Sequence, residues 1–478
     1  MIKLLSKAIL ADSVGQVLGA FERLLFIYVL TDFLGVQGYG SFVTILAYIT
    51  FVNLVDLGYG QQLVNSLTII YARNKRRYFL KVFNTAFLMI SIWVWIVFFA
   101  ITITVSIINE TILNVSITPE RSISLSFIVI SLSLKFLISI PGGLILSLYR
   151  IRGENYKSVI LKDVIILFSI VNIYITVSVF KILELYLALE VIFSAMIFCI
   201  IRIRLKKYYL QTSKKSLIGS FRSAKLEFAN AIAFFKVGIS QNINTSGLIL
   251  LISQIADSGS VAIISTTRTV ISLIWPLIGV ISHAIWPELT RSYAIGKEKR
   301  VIFLLEVNSL SALLIIALVS NGLNLFYNEI GLLWEPFLTL VDSDLLFFLF
   351  VTYSPLIICN TYSNFLMAIS RHLIWSNILI ISNMISLLII YILSVLFSLN
   401  FSIFVSLAIY SLILIAFQSR NTYYVLKSNY PKIVILDAVV SVIVTIIAFK
   451  QSNIEVFITP VVLCYLVLRL VRAVKNYA

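Results

Sequence analysis

The chain contains fourteen apolar stretches that are each long enough to cross a lipid bilayer, and its basic residues fall almost entirely in alternate loops between them. A helix needs about 20 apolar residues to cross roughly 30 Å of hydrocarbon. The predicted crossings are 8–33, 40–70, 79–107, 122–148, 158–179, 183–201, 228–254, 260–286, 301–326, 345–369, 374–397, 401–418, 433–449 and 455–471. With a cytoplasmic N-terminus, 30 of the 37 Lys and Arg residues lie in cytoplasmic segments or at the adjoining membrane edges. Because basic residues in short loops orient helices towards the cytoplasm, this asymmetry predicts both the number of crossings and two cytoplasmic termini.

The overall composition is that of a membrane protein built from helices. Hydrophobic residues make up 60% of the chain and charged residues 12%, with a mean hydropathy of +1.03, which excludes a soluble globular protein. The apolar runs are continuous and not alternating, so they predict helices and not a β-barrel. The net charge of +16 reflects the loop asymmetry and attraction to anionic lipids, so no nucleic-acid partner is expected. The predicted fold class is an all-α polytopic membrane protein.

The longest basic stretch divides the predicted helices into two halves. Between Arg202 and Lys225 it mixes Lys and Arg with Tyr, Leu and Phe, which is typical of an amphipathic segment on the cytoplasmic surface. The second helix of each half begins with a similar segment, Gly40-Ser41-Phe42-Val43 in one and Gly259-Ser260-Val261-Ala262 in the other, which favours parallel repeats. The predicted domains are an N-lobe of six helices at 1–204, a cytoplasmic linker at 205–227, a C-lobe of six helices at 228–426, and a final helix pair with a short tail at 427–478.

Four basic residues are predicted to lie deep inside helices of both halves: Arg23, Lys135, Lys236 and Arg268. A charged side chain at the centre of a bilayer costs about 2.5–3.5 kcal/mol on insertion scales, so it needs a partner, a hydrated cavity or a substrate. An excess of buried cations suits an anionic substrate, especially a phosphate, because Arg and Lys bind phosphate oxygens through charge-assisted hydrogen bonds.

Polar residues also follow one face of the first, seventh and eighth predicted helices. In the first helix this face comprises Asp12, Gln16, Gly19 and Arg23, which are spaced to align along a helix. Either a hydrated central cavity or a satisfied polar network between helices would explain such a face. Candidates for ion coupling or for a charge network are Asp12, Glu22, Asp56 and His283. A hydrogen-bonded structural histidine is favoured over a proton carrier at His283.

The sequence contains no pattern that favours catalysis or a cofactor. No paired carboxylates, Ser/His/Asp set or metal-ligand spacing emerges, and no GxxxxGK[ST] phosphate-binding loop is present. The cysteines Cys199, Cys359 and Cys464 stand singly in apolar runs, where small packing residues are expected. We therefore expect a protein that is not an enzyme and binds no cofactor or metal.

Several short motifs resemble those of the O-antigen and polysaccharide flippases (Wzx type) of the multidrug/oligosaccharidyl-lipid/polysaccharide exporter superfamily. The motifs are Leu34-Gly35-Val36-Gln37-Gly38-Tyr39-Gly40, Asp56-Leu57-Gly58, Trp286-Pro287-Glu288-Leu289 and Ala294-Ile295-Gly296-Lys297. The resemblance covers the whole chain through its six-plus-six-plus-two layout. One position departs from it, because many relatives carry a basic residue where this chain has Asp32.

The resemblance implies two six-helix lobes arranged as a V around a central cationic cavity. It also implies a substrate, an undecaprenyl-pyrophosphate-linked oligosaccharide repeat unit that moves from the cytoplasmic to the periplasmic leaflet of the bacterial inner membrane. Arg23, Lys135, Lys236 and Arg268 would contact the pyrophosphate, and Gln241, Asn242, Asn244 and Trp275 the sugars. The polymerase and chain-length proteins of the same pathway are candidate partners, beside membrane lipids.

Two other functions remain open on the sequence. A drug or cation antiporter of the same superfamily would share the fold, but it should have more acidic than basic residues in its cavity. A membrane polysaccharide polymerase or ligase would resemble this chain in hydropathy, but such enzymes carry a large extracytoplasmic loop. The largest predicted outside loop here, 327–344, is short, which disfavours the enzyme.

Overall fold

The computed structural model describes most of the chain, and the described residues form helices without any strand. They are residues 2–52, 59–73, 75–107, 125–151, 154–209, 232, 235–368, 373–426 and 431–449. Nine helical stretches within them are long and apolar enough to cross a membrane. The prediction of an all-α polytopic membrane protein is therefore confirmed. The predicted fourteenth crossing and residues 210–227 of the predicted linker lie outside the described residues.

The helices in the first part of the chain are α1 (Ile2–Thr50), α2 (Tyr59–Ala72), α3 (Arg76–Ile107), α4 (Leu125–Ile151), α5 (Asn155–Ile173), α6 (Leu183–Tyr209), α7 (235–242) and α8 (Leu248–Ile255). Of these, α1 includes the first predicted crossing and the beginning of the second, α2 includes the end of the second, and the later helices follow the predicted crossings. Two π-helical turns occur among them: π1 (Tyr174–Val179) extends α5, and π2 (Ile243–Gly247) joins α7 to α8. Helices form because hydrocarbon offers no hydrogen-bond partner for a backbone N–H or C=O. Each segment must therefore form hydrogen bonds among its own backbone groups.

The remaining helices likewise match the later crossings. They are α9 (Ser258–Ser272), α10 (Ile274–Ala294), α11 (Glu298–Leu325), α12 (Tyr327–Leu333), α13 (Pro336–Leu340), α14 (Ser343–Ala368), α15 (Leu373–Ser394), α16 (Leu399–Leu426) and α17 (Pro431–Phe449). The short helices α12 and α13 occupy the outside loop predicted at 327–344. The thirteenth crossing corresponds to α17.

Breaks in the helices occur where the backbone chemistry requires them. Gly35 lies within α1 at φ 71° and ψ 173°, a left-handed φ that favours glycine. Helices α9 and α10 meet at Leu273, three residues before Pro276, because a proline ring clashes with the carbonyl four residues earlier. By contrast, α4 continues through Pro141.

The chain divides into two compact units, which we call unit 1 (Met1–Ala262) and unit 2 (Ile263–Ala478). The division falls within α9, whereas the predicted boundary lies at the basic linker. In unit 1, α2, α3 and α4 pack through an apolar core that includes Leu63, Phe83, Leu137 and Leu148.

Unit 2 is held together in part by a buried carboxylate. Asp437 of α17 accepts hydrogen bonds from the hydroxyl of Ser309 in α11 (2.6 Å) and from that of Tyr362 in α14 (3.1 Å). Asn324 of α11 donates to the carbonyl of Ala448 (2.8 Å). The thirteenth predicted crossing is therefore fixed to the helices of unit 2 at both ends.

Candidate functional site

An ion pair lies inside the helices of unit 1, within two of the stretches that can cross a membrane. Lys135 of α4 places its Nζ 2.6 Å from Oε2 of Glu190 in α6. The Glu190 side chain is 2% exposed and that of Lys135 28% exposed. A buried carboxylate of this kind is stable only with a close cation and further hydrogen bonds, and the neighbouring helix α5 supplies one of these bonds.

Asn172 near the end of α5 holds Glu190 from the other side. Its Nδ2 donates to Oε1 of Glu190 (3.2 Å) and to the carbonyl oxygen of Tyr186 (3.1 Å). Asn172 is buried, and its Oδ1 has no hydrogen-bond partner among the described residues. The amide thus links α5 to α6 around the ion pair.

Glu22 brings α1 into the same group of residues. Its carboxylate hydrogen-bonds to Ser169 of α5, which also hydrogen-bonds to Tyr186. Glu22 interacts electrostatically with Lys135, Glu190 and Arg23 as well. We call this group the polar cluster; it comprises Glu22, Lys135, Ser169, Asn172, Tyr186 and Glu190.

The local backbone explains how α5 can present these side chains to both α1 and α6. The π1 turn begins two residues after Asn172, and the hydroxyl of Thr176 donates to the Asn172 carbonyl (2.6 Å). A π turn shifts the rotation of the following residues and is frequent at functional sites. Close packing of α1 on α5 also depends on Gly15, because a Cβ there would overlap the buried carboxylate of Asp163.

Lys135, one of the predicted headgroup ligands, lies in the polar cluster, where the carboxylate of Glu190 neutralises its charge. Its partner Glu190 is not among the site residues predicted from the sequence. Glu22, a candidate for ion coupling or a charge network, lies in this cluster, and its role stays a prediction. Arg23 follows it in α1 and has an exposed side chain.

The predicted sugar-contact residues of the seventh crossing lie around the π2 turn. Asn242 donates to the carbonyl of Gly238 in its own helix (3.2 Å), and the hydroxyl of Thr245 donates to the carbonyl of Gln241 (2.9 Å). The Gln241 side chain is exposed, while Lys236 and Asn244 are half-buried. Polar side chains therefore surround the π2 turn, and their contact with sugars stays a prediction.

Arg268 belongs to unit 2 and lies within the membrane-spanning stretch Ser258–Ser282. Its Nε donates to the hydroxyl of Tyr353 in α14 (3.2 Å). Trp275 follows in α10 and is half-buried. The convergence of Arg268 and Trp275 with the basic residues of unit 1 on one chamber remains a prediction.

Three predicted site residues lie outside the described part of the chain, either entirely or by their side chains. Asp56 lies outside the described residues, and the side chains of Asp12 in α1 and His283 in α10 lie outside them too. Asp32, the position that departs from the flippase motif, pairs with Lys181 (2.8 Å), which lies between π1 and α6.

The fold resembles that of known membrane transporters. A MATE transporter in a straight conformation has a TM-score of 0.61 and 11% identity, covering 89% of this chain and 97% of that one. A mutant of a Vibrio cholerae MATE transporter has a TM-score of 0.62 and 12% identity, covering 95% and 98%. No protein-family model matches the sequence, and neither does any curated protein.

A third solved structure is a MOP superfamily transporter from Pyrococcus furiosus, described as having a binding pocket of reversed polarity that suggests a different function. Its TM-score is 0.59 at 13% identity, and the match covers 89% of this chain and 97% of that one. At such identities the likeness establishes the fold alone. This chain has the fold of MATE transporters and is a multi-pass membrane protein.

Proposed function

We propose that this chain is a flippase, which moves undecaprenyl-pyrophosphate-linked oligosaccharide repeat units from the cytoplasmic to the periplasmic leaflet by alternating access. The fold it shares with transporters supports movement of a substrate across the bilayer. The observation that carries the proposal is Arg268, a guanidinium inside a membrane-spanning stretch whose Nε donates to the hydroxyl of Tyr353. A cation at that depth is costly and usually functional, and a pyrophosphate is a ligand of matching charge.

The proposed headgroup contacts are Arg23, Lys236 and Arg268. We leave Lys135 out of this set because Glu190 already neutralises its charge. Gln241, Asn242, Asn244 and Trp275 remain proposed sugar contacts, since amides and an indole ring suit hydrogen bonding to hydroxyl groups and stacking on sugar rings. Asp12, Asp56 and His283 remain proposed coupling residues.

Deletion of the gene is expected to abolish surface polysaccharide and to leave lipid-linked repeat units on the cytoplasmic leaflet. The units would be extracted and quantified, and their sidedness measured with a glycan-oxidising reagent applied to right-side-out spheroplasts. A plasmid copy of the gene should restore the polysaccharide. Single units that reach the periplasm without being polymerised would contradict the flippase and favour a polymerase.

The drug or cation antiporter is the second candidate, and the fold favours it because some solved structures that share the fold are multidrug transporters. It predicts a different deletion phenotype. Surface polysaccharide would stay normal, while cationic dyes and drugs would accumulate in the cells. The same deletion strain therefore distinguishes the two functions.

A further inference from the structure

The second half of α1 passes close to the π2 turn and to the start of α9. Pairs of small hydroxyl side chains form hydrogen bonds at these two places. Ser41 donates to Ser258 with an oxygen–oxygen distance of 3.1 Å. Nine residues along α1, the hydroxyl oxygens of Thr50 and Ser246 lie 2.6 Å apart. These contacts join the predicted second crossing to the predicted seventh crossing and to the loop before the eighth, and all of them lie within unit 1.

Gly40 shows how closely the two backbones approach. A Cβ at this position would overlap the carbonyl of Ser258 and lie 3.3 Å from the amide nitrogen of Ala262. Ser258 and Ala262 are four residues apart on one face of α9, and Ala262 is fully buried. Small residues at this spacing permit close packing of membrane helices, so a larger side chain at Gly40 must push α1 and α9 apart.

A capped turn fixes the α9 side of this contact. Asp257 accepts hydrogen bonds from the amide of Gly259 (3.0 Å) and from the hydroxyl of Ser260 (2.5 Å). The hydroxyl of Ser260, aided by the backbone amides, holds the pKa of the Asp257 carboxyl below its ordinary value. The carboxylate therefore stays ionised in any neutral or mildly acidic medium, and the start of α9 stays ordered.

The α1 side contains a hinge. Gly35 interrupts the helix five residues before Gly40, with a left-handed φ of 71°. Hinges are loop or terminal residues that absorb changes in backbone angles. A change of backbone angles at Gly35 alone would reorient residues 36–50 relative to the earlier residues of α1.

We propose that the contact of Gly40 and Ser41 with Ser258 and Ala262, which we call the outer latch, closes the extracytoplasmic mouth of the transport path and opens in each cycle. The inference rests on the proposed alternating access. In the predicted topology, the loops at 34–39 and 255–259 beside the latch both face outwards. Hydrogen bonds between small side chains of membrane helices are individually weak, so such a contact can close the path and still be broken repeatedly.

A disulfide across the latch tests this proposal. Ser41→Cys and Ser258→Cys would be combined in a chain whose three native cysteines are replaced by Ala. The hydroxyl oxygens are 3.1 Å apart, so two thiols can reach the S–S distance of about 2 Å with small movements. Oxidation should reduce polysaccharide synthesis in the complemented deletion strain at least tenfold, and a reductant should restore it.

A matched control exists in unit 2. Ser386 of α15 and Ser406 of α16 also form a buried hydroxyl pair, with oxygens 2.6 Å apart. The pair Ser386→Cys and Ser406→Cys should crosslink with no loss of synthesis. A crosslinked latch that supports normal synthesis would overturn the proposal, and so would failure of the latch pair to crosslink.

A labelling experiment tests the latch in the absence of any substrate. In the same cysteine-free chain, Ser41→Cys should react slowly with a membrane-impermeant maleimide added outside the cell. Adding Gly40→Leu should accelerate this labelling at least tenfold, because the side chain separates the two backbones. Equal slow rates in both variants, or labelling from the cytoplasmic side alone, would overturn the latch. If the gene deletion leaves polysaccharide unchanged, the flippase proposal fails while this labelling result still stands.

Discussion

Replacing Glu190 with Gln is expected to destabilise the purified protein by about 3 kcal/mol, near the lower end of the cost of breaking a buried ion pair. The substitution keeps the shape of the side chain and removes its charge. Lys135 then loses the carboxylate that lies 2.6 Å from its Nζ. The lower end is expected because 28% of the Lys135 side chain remains exposed. The free energy of unfolding in mixed detergent micelles measures the effect.

Glu288→Gln provides a matched control, since it removes the same charge from an ion pair at the surface. Glu288 lies 2.8 Å from Arg300, with side-chain exposures of 37% and 56%, and exposed pairs contribute about 0–1 kcal/mol. The double variant Lys135→Met with Glu190→Gln should regain much of the lost stability, because the Lys135 ammonium is no longer left without the Glu190 carboxylate and Gln still accepts from Asn172. Equal effects of the two Gln substitutions would contradict the buried ion pair.

Replacing Arg268 with Ala is expected to abolish surface polysaccharide while the protein still inserts at its normal level. A hydrogen bond to a charged group contributes about 1.5–3 kcal/mol, so loss of the guanidinium should reduce flipping at least tenfold. Arg268→Lys should retain part of the activity, because an ammonium keeps the charge but loses the planar, two-pronged geometry. Polysaccharide per unit of membrane-inserted protein is the quantity to measure.

Two further variants make the Arg268 result specific. Tyr353→Phe removes the hydroxyl that holds Nε and should reduce synthesis moderately, because the guanidinium loses its orientation but keeps its charge. Arg300→Ala removes an exposed guanidinium paired with Glu288 and should leave synthesis unchanged. Normal polysaccharide from Arg268→Ala at normal protein level would refute this residue as a headgroup contact.

The membrane-spanning helices were predictable because the bilayer imposes a length and a polarity on each of them. Helices such as α3, α11 and α17 coincide with predicted crossings to within a few residues. The kink near Pro276 was predictable too, since proline removes a backbone donor. The similar segments that begin with Gly40 and Gly259 gave a further signal, since they lie at the observed crossing of α1 and α9.

The polar cluster could not be predicted, because it depends on which helices become neighbours. Glu190 is seven residues into α6, and the sequence offered no reason to join it to Lys135. Asn172 and Ser169 likewise gave no signal as single polar residues in an apolar run. The cost of burying Lys135 did indicate that some partner must exist, and this was the one usable signal.

The most direct test of the proposed function uses purified protein and lipid-linked repeat units extracted from the deletion strain. Both would be reconstituted into liposomes with the glycans initially inside, and glycan exposure outside would be followed with an impermeant oxidising reagent. We expect exposure to rise with the wild-type protein and to stay at the protein-free level with Arg268→Ala. Wild-type protein that leaves the glycans inside, although folded and inserted, would contradict the proposal.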